Sequence, residues 1–204
     1  MKFAGFNKND FETFTIDGLE ERMEAIQTRI QPKFKEIGQE LTDSLSSKLG
    51  IEMHLHIAKH ARRTVNPPKD TWMAIAGNKR GYKQHPHFQL GLFDDHVFIW
   101  LAYIYELPNK SSIANVFLEN MERFSTEIPG DFVVSMDHMK KESFPIAEID
   151  LQKALERFRD VKKAEFLVGR HFDANDPILQ DGEKFAELVD NTYETLLPFY
   201  KLSI

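Results

Sequence analysis

The chain has 204 residues at 23.8 kDa, enough for one sizeable core that buries about 70% of the extended chain's area. Its 42% hydrophobic content excludes a disordered chain, and the absence of cysteine excludes disulfides, thiolate metal sites, iron–sulfur clusters and cysteine nucleophiles. A formal charge of −6 argues against a duplex-wrapping protein, yet the stretch from His54 to His87 holds seven basic residues against one acid, Asp70, for a local +6.

The N-terminal MKFAGFNKNDFETFT carries acids where a signal peptide needs an apolar run, and the longest apolar stretch, 97–104, is too short to span a bilayer. These features predict a cytoplasmic protein without membrane association. Asp17 and Glu20 have the spacing of a capping box, and Leu19, Met23, Ile26 and Ile30 recur on one helical face. Pro32 is expected to interrupt or restart that helix, after which Phe34, Ile37, Leu41 and Leu45 continue the stripe to Gly50.

Strands follow. Ile51, Met53, Leu55 and Ile57 alternate with Glu52, His54 and His56, which puts both histidines on one polar face, and 71–76 forms a second run. A hairpin joins 87–93 to 96–105 across Asp94 and Asp95. A two-residue loop there opposes Phe88 to Leu101, Leu90 to Ile99 and Leu92 to Val97 on one face. The other face then carries His87, Gln89 and Gly91 opposite Ala102, Trp100 and Phe98.

A helix is expected over 111–124, a short strand over 132–136, a helix capped by Asp150, a strand over 165–171 and a final helix capped by Asp181. The pattern predicts an α+β fold: a central, mainly antiparallel or mixed sheet covered by N-terminal and C-terminal helices. With no linker-like tract, residues 1–204 are expected to form a single domain.

Five of the eight histidines lie in the basic segment. In HLHIAKHARR, His54 and His56 have the side-chain type of metal ligands, but Lys59, Arg62 and Arg63 oppose a dication, so an anion contact fits better and neither metal nor cofactor is expected. The loop GNKRGYK offers Lys79, Arg80, Tyr82 and Lys83 between glycines without the spacing of a P-loop. His87 and Gln89 supply directional hydrogen bonds, and Trp100 is expected to pack against a helix or to serve as a stacking platform. Arg170, near the end of a strand, has the geometry to clamp a phosphate or carboxylate, with an ion pair to an acidic helix as the structural alternative.

FAGF, HLHIAKHARRTVNPP, a Trp-x-Ala stretch, GNKRGYKQHPHFQLGLF and VGRHF occur in an order that resembles the YktB-like family of uncharacterised bacterial proteins from Phe3 to the last helix. The resemblance implies a small cytosolic α+β domain and transfers no catalytic residue. On the residues alone, the leading expectation is a binding domain for a small anionic or nucleotide-like ligand. The alternatives are a phosphoester hydrolase using histidine acid/base chemistry through His54 or His87, and a protein or single-stranded nucleic-acid interaction module.

Overall fold

The computed structural model describes residues 3–204. Its chain order begins with α1 (Lys8–Glu12), α2 (Leu19–Ala25) and α3 (Gln31–Leu49), followed by β1 (His54–Ile57), β2 (Thr71–Ala76), β3 (His87–Leu92) and β4 (His96–Tyr103). The second half comprises α4 (Lys110–Glu119), α5 (Met121–Glu127), β5 (Val133–Ser135), β6 (Phe144–Pro145), α6 (Leu151–Asp160), β7 (Phe166–Asp173) and α7 (Gly182–Leu202). The strands join one sheet in the order β1-β2-β3-β4-β7-β5-β6, and every pairing is antiparallel. Among the described residues no helix is long and apolar enough to cross a membrane.

The β3–β4 register follows the two-residue turn, with Phe88 opposite Leu101, Leu90 opposite Ile99, Leu92 opposite Val97 and Gln89 opposite Trp100. Because side chains alternate, that register divides the sheet into two chemically different faces. One face carries Met73, Phe88, Leu90, Ile99 and Val168 into a core shared with Phe34, Ile37, Leu41 and Leu45 of α3 and Tyr193, Leu196 and Phe199 of α7. The opposite face bears a smaller cluster of Phe93, Phe98, Trp100, Ala102, Ile104 and Leu167, with Trp72 and Val133 against it. Connecting segments reach over this second face: Tyr82 bonds Trp72, His138 meets the Trp72 ring and Ser143 meets His171.

Several local expectations change. Asp17 does not cap α2; the position belongs to Gly18 at φ +88°, a left-handed conformation open to glycine. Pro32 restarts the helix and does not interrupt it: a π turn over Ile26–Ile30 leads into α3 and leaves Pro32 in its first turn, where a missing N–H is tolerated. The expected 111–124 helix is divided at Asn120, whose side chain donates to the Val116 carbonyl. Trp100 faces away from the helices and meets His171 edge-on at 4.7 Å, so its burial comes from the second face. Asp150 and Asp181 cap their helices as expected, accepting from the Lys153 and Lys184 amides.

Gly91 on that face leaves room for Phe98 across the strand pair. A Cβ there would lie 2.2 Å from the Phe98 ring and 2.7 Å from the Thr71 carbonyl oxygen. Gly91→Ala should therefore destabilise the protein by about 1–3 kcal/mol through overpacking. Denaturant unfolding should show a lower midpoint at an unchanged slope; an unaltered midpoint would show that the sheet accommodates the methyl group.

Candidate functional site

Two adjoining cavities open on the second face near the β1–β2 edge. The first, about 760 Å³, is lined by His56, Lys59, Asn78, Arg80, Tyr82, Lys83, His85 and Glu106, among others. The second, about 540 Å³, is lined by Lys59, His60, Arg62, Arg63, Trp72, Tyr82, Lys83, Glu106, His138 and Met139, with Ala58 and Ala61 completing its wall. Lys59, Tyr82, Lys83 and Glu106 belong to both. Five cationic side chains thus meet one carboxylate on the combined wall, and that carboxylate, Glu106, pairs with Lys83 at 3.3 Å.

The basic groups come from connections because strands β1 and β2 are joined by a loop that must cross the open face, and β2 and β3 by another. His60 takes a positive φ of 49° in the first loop, its Nε2 lies 3.1 Å from the Thr71 hydroxyl and its ring meets Trp72 edge-on. Burial and the nearby Arg63 cation push His60 down to about 4, which leaves it neutral. Trp72 Nε1 donates to the Tyr82 hydroxyl at 2.9 Å, so the two aromatics form one rigid partition. His56 Nε2 donates to the Asn78 carbonyl at 2.9 Å, which ties the second loop to β1, and burial lowers its pKa.

Behind Tyr82 lie His87 and Gln89, both buried. His87 Nδ1 donates to the His85 carbonyl and its Nε2 accepts from Gln89 Nε2, each at 2.8 Å. Full burial pushes His87 down to about 3. A neutral imidazole with both nitrogens engaged is a poor proton carrier, so its role here is to hold the Tyr82 loop from below.

The remaining expected residues lie apart from the cavities. Lys79 is exposed on the loop tip outside both walls, and His54 lies 3.9 Å from Glu52 on the outer part of β1. Trp100 is buried beside His171. Arg170 projects from the helix-packed face of β7, where it pairs with Asp131 at 2.6 Å and covers the Phe172 ring; its partner comes from the turn before β5 and not from a helix.

Three polar residues outside the expected set stand at the second cavity or behind it. His138 Nδ1 lies 2.8 Å from the buried Glu165 carboxylate, which also accepts the His138 amide at 2.8 Å and the Tyr105 amide at 3.3 Å. The Asp137, His138 and Glu165 donor atoms lie within 4.8 Å of one another. Both Glu165 oxygens already receive N–H groups, so the arrangement is a hydrogen-bonded pair and not an open coordination shell. Asp70 is 2% exposed, its Oδ2 lacks a hydrogen-bond partner among the described residues, and burial pushes it up to about 6 against the opposing pull of His138 and Arg63. The sequence marks Asp70 as the lone acid of the basic segment; nothing local marks His138 and Glu165 as a pair.

A family model described as a domain of unknown function, DUF1054, matches residues 6–200. The chain belongs to the DUF1054 family. A UPF0637 protein of Shouchella clausii is 63% identical over 204 residues, covering all of this chain and 97% of the relative. Similar proteins of the same name occur in Oceanobacillus iheyensis, 59% identical over 98% of this chain and 97% of the relative, and Listeria monocytogenes, 52% identical over the whole of both. The resemblance to uncharacterised bacterial proteins is thus met by relatives named UPF0637, and the DUF1054 description assigns no chemistry to the cavities.

Asp70 provides a direct check on this electrostatic picture. Its folded-state value near 6 lies above the ordinary carboxyl value of 3.8, so the protonated form is favoured by folding and stability is lost as pH rises from about 4 through 6. Asp70→Asn should therefore raise stability by about 3 kcal/mol at most above pH 6 and leave it nearly unchanged below pH 4. Thermal unfolding of both proteins across that range measures the difference, and a variant less stable than the parent at pH 7 would contradict the assignment.

Proposed function

We propose that this protein binds a small phosphate-bearing, nucleotide-like anion in the paired cavities. The observation that carries the reading is the convergence of Lys59, Arg62, Arg63, Arg80 and Lys83 on walls that offer only Glu106 as a countercharge. Cations held in a concavity attract an anion more strongly than the same charges spread over a convex surface, because low-dielectric walls focus the field. Arginine supplies planar, paired N–H donors to phosphate oxygens, and lysine adds a mobile point charge.

The aromatic groups support an enclosed small ligand over an extended strand. Trp72 and Tyr82 are half-buried and joined by a hydrogen bond, so their faces wall a cavity instead of presenting successive stacking platforms. A competing depression of about 780 Å³, between α5 and the start of α6, contains Glu122 and Asp150 and no basic side chain. Its lining offers an anion no cation.

Titration calorimetry with pyrophosphate and ADP should detect binding that weakens as salt is raised. Lys59→Gln combined with Arg63→Gln should weaken it at least about tenfold, the scale expected when charge-assisted hydrogen bonds are lost, and should flatten the salt dependence. Lys153→Gln, on the exposed face of α6 beside Asp150, should leave affinity unchanged. Equal loss in both variants, or no binding of either anion to the parent protein, would remove the reading.

A further inference from the structure

The pairing of His138 with Glu165 has a consequence beyond attachment of a loop. A carboxylate accepts hydrogen bonds, so the 2.8 Å contact places the imidazole proton on Nδ1 and the lone pair on Nε2. Glu165 is buried and its oxygens are fixed by the Tyr105 and His138 amides as well as by the ring. Trp72 meets His138 edge-on at 6.2 Å from the other side. The ring is therefore held in one tautomer and one orientation. The hydrogen bonds of His138 among the described residues run through its amide and Nδ1 and none through Nε2, and His138 forms part of the cavity wall that also carries Arg62 and Arg63.

We propose that His138, oriented by Glu165, is the general base of a phosphoester hydrolase site in the second cavity. The proposal rests on the anion-binding reading and adds turnover to it. Nε2 takes a proton from water as the water oxygen forms a bond to phosphorus; the bond from phosphorus to the leaving alcohol oxygen breaks with its electron pair, and that oxygen takes a proton from solvent. The imidazolium then returns its proton to solvent. No electron transfer occurs and water is the only co-reactant. Arg62 and Arg63 line the same cavity and are the cations to compensate the charge growing on the non-bridging oxygens, and Glu165 offsets the charge that develops on the imidazole.

His138→Asn separates this chemistry from support of the loop, since the asparagine amide can still donate to Glu165 from the Nδ1 position but offers no base. With p-nitrophenyl phosphate and bis(p-nitrophenyl) phosphate as probes, the parent protein should hydrolyse at least one. His138→Asn should lower kcat about 100-fold or more, while pyrophosphate affinity falls far less than kcat and the cooperative melting transition is retained. In His138→Ala, added imidazole should restore part of the rate, an effect that a purely structural histidine would not give. Binding of pyrophosphate without hydrolysis of either probe by the parent, or turnover by His138→Asn within threefold of the parent, would overturn the hydrolase and leave the binding site standing. Failure of pyrophosphate to bind would remove both.

Discussion

The strictest constraint in the molecule is the parity set by the Asp94-Asp95 turn. With only two residues between β3 and β4, each side chain on the hairpin is assigned to one face, and the antiparallel pairings on either side extend that assignment across the sheet. Leu90 and Ile99 fall toward α3 and α7; Gln89, Trp100 and His171 fall toward the loops. A shift of one residue would exchange an aliphatic core for a histidine-rich face. Everything proposed about the cavities depends on this division, because the paired cavities with their concentration of basic side chains open on the loop-covered side.

Loop cover gives the second face a different physical character. Its histidines are largely neutral: burial pushes His87 and His171 down to about 3 and His60 to about 4. They act as fixed donors and acceptors beneath a rim of permanent cations. His138 differs through its partner, a buried carboxylate that fixes the ring from behind. The segment carrying His138 is tied down again where Lys141 pairs with Asp94 and Asp95 at the hairpin turn. The turn that sets the register thus also anchors the segment bearing His138, which links the sheet's parity to the position of that ring.

Much of the fold was legible because its signals are local. Alternation gave the β3–β4 pairing, and single acids marked the starts of α6 and α7. The π turn before Pro32 was not, since the chain's course through a proline depends on what packs around it. For the site, the concentration of charge between His54 and His87 located the rim, and parity placed His87 and Gln89 on the correct face. Their sealed hydrogen bonds could not be read, because they depend on Tyr82 closing over them. His138 and Glu165 stand 27 residues apart and neither belongs to a motif, so only the folded chain brings them together. Arg170 forms the ion pair that the sequence offered in place of a phosphate contact, but with Asp131 of a turn and not with a helix, because its strand position turns it to the helix-packed face.

The central claim is that the basic loops and the His138 segment bound one shared anion site on the loop-covered face. Amide NMR of the protein titrated with pyrophosphate tests it most directly. The account predicts saturable shift changes at Lys59–Arg63, Arg80–His85 and His138–Met139, all fitting a single affinity. Changes confined to the apolar depression around Phe124, Ile146 and Leu151, or separate affinities for the two loops, would contradict it.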